Sequence, residues 1–257
     1  MFNAHMASVD RHRQITGAVR RAGHLSVAQL AELTGTSDMT VRRDLEILAE
    51  QGVLERYRGG ARSLLLRGEE APYAVRAHDD LEIKQRLGAA VAEMISDGEA
   101  VVIDSGTTCL EVARALTHRR LTVMPLSLHA ANALVGAPQL RLLMPGGEPR
   151  PGELALTGPL AEASLSALHF DTAIIGCCGL TATNGLTAYD LADAAIKRAA
   201  MAAAHRVIAV ADAAKLARTT LAVVAPASAL HALVTVDDAP AEVTDALAAA
   251  GVVIRKV

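Results

Sequence analysis

From Leu81 to Val257, the chain alternates between segments with the periodicity of amphipathic helices and short apolar segments typical of buried strands. The predicted helices are KQRLGAAVAEMI, TCLEVARAL, LHAANALV, DAAIKRAAMAAA and AEVTDALAAAG, and the predicted strands are EAVVID, LTVMPL, LRLLMPGG, FDTAIIGC, HRVIAVAD, ALHALVTV and VVIRKV. Alternation of this kind predicts an α/β fold in which helices cover a parallel sheet. Ligands bind such sheets at the carboxyl ends of the strands, so the residues after each strand are candidate site residues.

The composition limits the classes of protein to which this chain can belong. Its 257 residues lead us to expect two domains, and with no Trp and only five Phe and Tyr residues any core must be aliphatic. No apolar run approaches the ~20 residues that span a bilayer, and the N-terminal segment lacks the apolar stretch of a secretory signal. Cys109, Cys177 and Cys178 lack the spacing of a zinc site and are too few for a disulfide framework. We therefore expect a cytoplasmic protein with reduced, buried thiols and with no membrane partner, metal ion or cofactor. The alternative for Cys177 and Cys178 is a redox-sensitive pocket.

Three short helices are predicted before residue 52. Residues 11–22 have apolar positions at the i, i+3, i+4, i+7 spacing of a one-sided helix. A second helix is predicted between Ser26, which can act as its N-cap, and Gly35, which can end it. Ser37 can cap a third helix over about residues 38–51. Because only TGTS separates the second and third helices, their spacing is that of a helix-turn-helix.

The third helix places polar and basic side chains away from its apolar face. The N-terminal half of the corresponding helix enters the DNA major groove in helix-turn-helix folds, and arginine can donate two hydrogen bonds to a guanine edge or a phosphate. The segment VLERYRGGAR then predicts a β-hairpin, or wing, that turns at Gly59-Gly60. The candidate DNA-binding residues are Ser37, Thr40, Arg42, Arg43, Arg56, Arg58 and Arg62. The alternative is a solvated helix face followed by an ordinary hairpin.

Charge favours DNA binding by the first segment. Residues 1–62 contain nine arginines and seven acidic residues, whereas residues 63–257 contain 16 basic and 21 acidic residues. Binding to a duplex relies on cationic contacts to phosphate, so any nucleic-acid contact is expected in residues 1–62.

Residues 11–62, and above all LSVAQLAELTGTSDMTVRRDLEILAEQGVLERYRGGA, resemble the winged helix-turn-helix of DeoR-type bacterial transcriptional regulators. The resemblance implies that Arg42 and Arg43 contact the groove and that Asp44 organises the helix. We expect a winged helix-turn-helix domain over residues 8–62, a linker over residues 63–80 and an α/β domain over residues 81–257. The apolar residues of the linker follow neither helical nor strand periodicity, and the segment contains a proline. The alternative for its SLLL segment is a strand packed on the second domain.

Two of the loops after predicted strands are suited to an anionic ligand. In DSGTTCLEV, residues 104–108 combine backbone amides, hydroxyls and a helix N-terminus; the alternative is a plain strand-to-helix turn. The loop lacks the lysine of a nucleotide P-loop, so a nucleoside triphosphate is not expected. In MPGGEPRPGELALTGP, Arg150 can clamp a phosphate or tie its loop to Glu148 or Glu153.

Two further loops carry charged pairs. Asp193 and Lys197 are four positions apart on a predicted helix, a spacing more typical of a helix-surface ion pair than of a binding site. Asp212 follows the strand VIAVA and precedes Lys215, and a helix cap is the alternative role for Asp212.

Together these loops resemble the effector-binding domain of the same DeoR-type family, whose fold is similar to that of ribose-5-phosphate isomerase and glucosamine-6-phosphate deaminase. The resemblance implies a homo-oligomer, dimer or tetramer, that binds double-stranded operator DNA as a repressor and leaves it when a phosphorylated sugar or related metabolite binds. The effector-binding residues that it implies are Asp104, Ser105, Gly106, Thr107, Thr108, Gly147, Arg150, Asp193, Lys197, Asp212 and Lys215. The alternative is a sugar-phosphate isomerase or deaminase with a DNA-binding head, in which Asp104, Asp193 and Lys197 supply acid–base chemistry.

Overall fold

The computed structural model describes residues 11–12, 14–19, 22–50, 52–63 and 70–257. The chain divides into two compact units, Met1–Val75 and Arg76–Val257. Most of the N-terminal segment in which no secretory signal was expected, the three leucines of the SLLL segment and Gln51 lie outside the described residues. Within the described ranges, no helix is long and apolar enough to cross a bilayer.

The first unit contains three helical segments and a small antiparallel sheet. Residues 11–12, 14–19 and 22 are helical (α1), and the other helices are α2 (Val27–Thr34) and α3 (Asp38–Glu50). The strands β1 (His24–Ser26), β2 (Leu54–Tyr57) and β3 (Gly60–Ser63) pair in the order β1-β3-β2. Aliphatic side chains from these helices and from β2 form the core of this unit, among them Ile15, Leu30, Val41, Leu45, Leu48 and Leu54. The predicted helix-turn-helix with its wing is confirmed.

Local signals in the sequence fix the ends of α2 and α3. Ser26 accepts a hydrogen bond from the Gln29 amide, and the Gln29 side chain accepts one from the Ser26 amide, so the two form a capping box. Gly35 ends α2 in the left-handed conformation, with φ of 62°. Ser37 caps α3 by accepting from the Thr40 amide over 3.2 Å.

The wing turns one residue earlier than predicted. Tyr57 pairs with Gly60, so the two turn residues are Arg58 and Gly59 and the predicted turn at Gly59-Gly60 is wrong. Gly59 has φ of +103°, which disfavours residues with a side chain. Gly60 instead belongs to β3, where a Cβ would lie 2.3 Å from the Leu25 carbonyl oxygen of β1, a strand that the sequence analysis missed.

The second unit is built on a parallel sheet, as predicted. Its strands are β4 (Ala100–Ile103), β5 (Thr122–Pro125), β6 (Arg141–Leu142), β7 (Glu148–Pro149), β8 (Leu156–Thr157), β9 (Phe170–Gly176), β10 (Gly179–Thr181), β11 (Gly185–Ala188), β12 (Ala204–Val210), β13 (Ala222–Ala225), β14 (Ala232–Thr235) and β15 (Val253–Lys256). Seven of them form one parallel sheet in the order β15-β14-β12-β9-β4-β5-β6. The strand residues Val101, Val102, Ile103, Ile174, Ile208 and Leu233 are wholly buried in an aliphatic core.

Helices connect these strands and pack on the sheet. They are α4 (Tyr73–His78), α5 (Leu81–Ala92), α6 (Thr107–Ala115), α7 (Leu128–Leu134), α8 (Pro159–Ser166), α9 (Leu191–Ala202) and α10 (Ala241–Ala249). Two of them were not predicted: α4 lies within the expected linker, and α8 follows β8. Two antiparallel sheets were also missed, β10-β11-β13 and β7-β8. Because β4, β9 and β12 are neighbours and parallel, the loops that follow them meet at one edge of the sheet.

Candidate functional site

Two arginines lie on the exposed face of α3. Val41, Leu45 and Leu48 are buried in the core, whereas Arg42 and Arg43 are exposed. Among the described residues, none forms an ion pair with either arginine. Both guanidinium groups therefore remain available to a ligand at the N-terminal half of the helix, next to its cap.

The arginines of the wing differ in their partners. Arg56 donates to Glu46 of α3 over 2.8 Å, and Arg62 forms a bidentate pair with Glu55 at 2.9 and 2.7 Å. These pairs are exposed and of little energetic value, so either arginine can exchange its carboxylate for a phosphate. Arg58, in the exposed turn, has no such carboxylate partner among the described residues.

Asp44 anchors α3 from its buried side. Its carboxylate accepts from Arg11 Nε at 2.6 Å and from Arg11 Nη2 at 3.0 Å, and His12 Nε2 lies 2.9 Å from Oδ1. Burial alone would raise the pKa of Asp44, but the hydrogen bonds from Arg11 and His12 outweigh it, so the pKa is lowered. Asp44 thus links α3 to α1 and orients the helix that carries the exposed arginines.

In the second unit, three of the predicted effector residues form one buried cluster. Lys197 Nζ donates a hydrogen bond to Asp104 Oδ2 and lies 3.6 Å from Asp193 Oδ1. The Gly176 amide, at the end of β9, donates to the same Asp104 oxygen over 2.9 Å. The cluster therefore joins the loop after β4 to the end of β9 and to helix α9.

The expectation of a helix-surface pair between Asp193 and Lys197 is wrong. Both residues are buried, with 4% exposure for Asp193 and 2% for Lys197. The reason is that the Lys197 ammonium group binds Asp104, a residue distant in sequence, in the interior of the unit. Burial by itself would lower the pKa of Lys197, but the charges of Asp104 and Asp193 outweigh it and raise the pKa well above its usual value. Lys197 therefore stays protonated at neutral pH and serves as a fixed positive charge.

The residues after Asp104 lead into the N-terminus of α6. Ser105 and Thr107 are mostly buried, and Gly106 is the N-cap of this nine-residue helix, with φ of 102°. A Cβ built on Gly106 would meet no atom within 4 Å, so there is open space beside the loop. Gly106 has no side chain with which to cap the helix, so its position as N-cap leaves the first amides of α6 without a hydrogen bond from that residue's side chain.

Arg150 pairs with neither Glu148 nor Glu153. Its Nη1 lies 3.7 Å from Asp190 Oδ1, and Asp190 is the N-cap of α9. Its Nε is buried without a hydrogen-bond partner among the described atoms. Asp190 was not predicted as a site residue, although an aspartate directly before a helical segment is a capping signal.

Gly147 approaches the protein's own backbone. A Cβ on this residue would lie 2.4 Å from the Thr157 carbonyl oxygen and 2.9 Å from the Ala161 Cβ. Glycine is therefore required at position 147 by the packing of the loop against β8 and α8.

Asp212 has the capping role considered as the alternative. It accepts from the Lys215 amide over 3.2 Å and caps a short 3-10 turn, Ala213–Lys215. Nearby, the buried Lys84 of α5 was missed by the sequence analysis. Burial lowers the pKa of Lys84, an effect that the carboxylates of Asp79 and Asp212 only partly offset. The burial of Lys84 could have been predicted from the sequence, because Lys84 precedes Leu87 and Val91 by three and seven positions on the apolar face of the helix.

The three thiols of the chain are buried close to this cluster. Cys109, Cys177 and Cys178 are buried and free. Burial raises the pKa of Cys109 well above its usual value and raises the pKa of Cys177 to about 12. A thiol is a weak nucleophile when protonated, so these two are poorly suited to redox chemistry.

Comparison with known proteins agrees with this two-unit arrangement. The family model described as "DeoR C terminal sensor domain" matches residues 79–237, and that described as "DeoR-like helix-turn-helix domain" matches residues 11–65. The chain belongs to the DeoR family.

Relatives in this family are similar to the chain over nearly its whole length. A putative aga operon transcriptional repressor of Escherichia coli O157:H7 is 31% identical over 95% of this chain and 91% of its own. The glycerol-3-phosphate regulon repressor of Escherichia coli K12 is 32% identical over 93% of this chain and 94% of its own. Among solved structures, ribose 5-phosphate isomerase A of Methanocaldococcus jannaschii matches 54% of this chain and 55% of its own, with 14% identity and a TM-score of 0.41.

Proposed function

We propose that this DeoR-family protein is a transcriptional repressor that binds operator DNA through α3 and the wing and leaves it when a phosphorylated sugar or related metabolite binds the second unit. The observation that carries the proposal is the pair of exposed arginines, Arg42 and Arg43, on a helix whose opposite face is fixed in the core. A helix held in this way presents preorganised donors to a groove. The names of the two Escherichia coli relatives support the repressor function.

The DNA-binding surface is proposed to extend from the cap of α3 to the wing. Ser37 and Thr40, whose hydroxyl oxygens lie 3.0 Å apart, stand where the phosphate backbone would pass the N-terminus of α3. Arg42 and Arg43 would contact base edges or phosphates in the major groove. Arg56, Arg58 and Arg62 of the wing would contact the flanking backbone.

The effector is proposed to bind at the edge of the sheet after β4, β9 and β12. Its phosphate would accept hydrogen bonds from the loop of Ser105, Gly106, Thr107 and Thr108 and would lie at the positive end of the α6 dipole. The open space beside Gly106 supports this position. Arg150, with its buried Nε lacking a partner among the described atoms, would supply a charged donor from the opposite loop.

The other predicted effector residues would act on the ligand mainly through this loop. Asp104, Asp193 and Lys197 are too buried to meet a ligand directly, and we assign them to fixing the loop and setting its charge. Asp212 and Lys215 border the same edge of the sheet, and Gly147 would hold the Arg150 loop close to α8. The relatives' names include glycerol-3-phosphate, so glycerol 3-phosphate belongs among the compounds to be tested.

Three further properties belong to this proposal. The protein would act in the cytoplasm as a homodimer or homotetramer, since two DNA-binding domains in one assembly explain recognition of repeated half-sites about one helical turn apart. It would not be an enzyme, because Lys197 is held as a cation by two carboxylates and is a poor general base. Turnover of ribose 5-phosphate or glucosamine 6-phosphate by the purified protein would contradict this last point.

Fluorescence anisotropy tests the proposal at a fixed salt concentration. The purified protein is titrated against the DNA upstream of its own operon and against a scrambled duplex, with and without a panel of phosphorylated sugars, glycerol 3-phosphate and the unphosphorylated counterparts. We expect specific binding that one phosphorylated compound weakens by about 5- to 150-fold, the range of ordinary allosteric coupling. Equal binding to both duplexes overturns the DNA-binding proposal, and specific binding that no compound weakens overturns the effector proposal.

A further inference from the structure

Arg76, the first residue of the second unit, is held at both its backbone and its side chain. Its carbonyl oxygen accepts a hydrogen bond from Lys84 Nζ, which also donates to the Asp79 carbonyl. Its guanidinium Nη2 donates to Glu153 Oε1 over 2.5 Å, and both side chains of this ion pair are largely buried, with 13% and 14% exposure. Two independent side chains therefore fix the C-terminal end of helix α4.

Glu153 belongs to the same loop as Arg150, the charged donor of the proposed effector site. The Arg150 amide donates to the Ala155 carbonyl over 2.7 Å, and the Leu154 amide donates to the Arg150 carbonyl over 2.8 Å. Leu154 also has φ of +51°, a left-handed conformation that a tight turn imposes on it. Because the turn is closed in this way, a displacement of Arg150 moves Glu153 with it.

Lys84 holds Arg76 from the neighbouring helix α5. It is buried, with 6% exposure, and its ammonium group donates to the carbonyls of Arg76 and Asp79 at the C-terminal end of α4. Glu153 therefore links Arg76 to the Arg150 loop, whereas Lys84 links it to α5.

Arg76 follows directly on Val75, the last residue of the first unit, and both lie within α4. The groups that hold Arg76 therefore act on the same short helix that contains the last residues of the first unit.

We propose that the Arg76–Glu153 ion pair couples the effector site to the DNA-binding unit, and that Arg76, Glu153 and Lys84 are positioning residues for this coupling. The inference rests on the proposed function, and it adds the residues by which the ligand would act on DNA binding. Allosteric coupling requires an element that both sites bias, and α4 with its ion pair is such an element.

The test compares Glu153→Gln with a matched control, Glu148→Gln. Glu148 is an exposed carboxylate on β7, two positions before Arg150, so the control makes the same chemical change on the same loop away from Arg76. The probe is whichever of glycerol 3-phosphate, ribose 5-phosphate and glucosamine 6-phosphate releases the wild-type protein from its operator. Anisotropy gives the factor by which the compound weakens DNA binding, and calorimetry gives its affinity for the DNA-free protein.

We expect Glu153→Gln to reduce the release factor by at least about threefold while the affinity of the compound for the DNA-free protein changes by less than about twofold. Glu148→Gln should keep the wild-type release factor. The single variant Glu153→Arg places two cations next to each other and should also reduce the release factor. The double variant Arg76→Glu with Glu153→Arg restores an ion pair and should recover part of that loss. A wild-type release factor in Glu153→Gln overturns the coupling proposal while leaving the proposed function intact.

Amide hydrogen exchange tests the ion pair without any effector. Glu153→Gln should speed up exchange in α4 by at least about threefold relative to Glu148→Gln, because opening of α4 no longer breaks the ion pair. Equal exchange rates in the two variants overturn the coupling proposal. This result does not depend on the effector panel. If no compound of the panel releases the DNA, the effector part of the proposed function fails separately.

Discussion

Lys197 Nζ donates a hydrogen bond to Asp104 Oδ2 across 93 positions of sequence, and neither residue is accessible to solvent beyond 2%. This contact attaches helix α9 to the loop after β4. The same Asp104 oxygen also accepts from the Gly176 amide of β9. One carboxylate therefore links three separate parts of the second unit: the loop after β4, the end of β9 and helix α9.

Replacement of Lys197 should destabilise the second unit strongly. In Lys197→Met, the carboxylates of Asp104 and Asp193 remain buried without their cation, and loss of one partner from a buried ion pair typically costs about 3–5 kcal/mol. The exposed Lys256 of β15 offers a matched control, since Lys256→Met removes the same charge at the surface. Urea unfolding followed by circular dichroism gives both free energies of unfolding. Equal stability of the two variants would contradict the structural role of Lys197.

Removal of Arg42 or Arg43 should weaken operator binding without affecting the fold. Both side chains are exposed on α3, so Arg42→Ala and Arg43→Ala should leave the melting temperature within a degree or two, which corresponds to roughly ±0.5 kcal/mol. A lost contact to a base edge costs about 1–3 kcal/mol, and operator affinity should therefore fall by at least about fivefold. Arg86→Ala, at an exposed position of α5, serves as the control for loss of a positive charge. Unchanged affinity in both α3 variants would remove these arginines from the interface.

Most of the elements could be predicted because their signals are local. The strands of the parallel sheet are short apolar runs, and the ends of α2 and α3 are marked by Ser26, Gly35 and Ser37. The helix-turn-helix follows from the same signals. These features depend on residues within a few positions of one another, which a sequence pattern contains.

The rest depends on contacts between distant residues. The i, i+4 spacing of Asp193 and Lys197 predicts a surface pair, and only the position of Asp104, 93 residues away, makes it a buried cluster. The segment LRLLMPGG forms only the two-residue edge strand Arg141–Leu142, because only β5 pairs with it. By contrast, α8 had a local signal that was overlooked, since Gly158 and Pro159 stand at its N-terminus.

Gly147 and the adjacent Gly146 offer a matched test of the Arg150 loop. Both have positive φ, 74° at Gly146 and 88° at Gly147, so alanine at either position is strained by about 1–2 kcal/mol. A Cβ at Gly146 meets no atom within 4 Å, whereas one at Gly147 meets the Thr157 carbonyl oxygen at 2.4 Å. Gly147→Ala should therefore be less stable than Gly146→Ala by a further 1–3 kcal/mol or so, the usual cost of overpacking. Equal free energies of unfolding would show that the loop can move away from β8.

Acid should destabilise the DNA-binding unit through Asp44. Its pKa in the folded protein is lowered, mainly because the hydrogen bonds from Arg11 and His12 outweigh the opposing effect of burial. Its pKa in the unfolded chain is about 3.9, so the unfolded state binds more protons between the two values. The stabilisation by Asp44 is therefore complete well above pH 4 and is lost as the pH falls through the folded-state pKa.

Asp44→Asn isolates this contribution. The amide cannot ionise, so the variant should be less stable than the wild-type protein at pH 6 by about 1–3 kcal/mol, and the difference should shrink as the pH falls below about 4. The exposed Asp38 of the same helix provides the control, since Asp38→Asn removes a carboxylate without the partners Arg11 and His12. Hydrogen exchange in α3 between pH 3 and pH 6 measures the local free energies of opening. A difference that stays constant with pH would mean that Asp44 stabilises α3 by packing rather than by its charge.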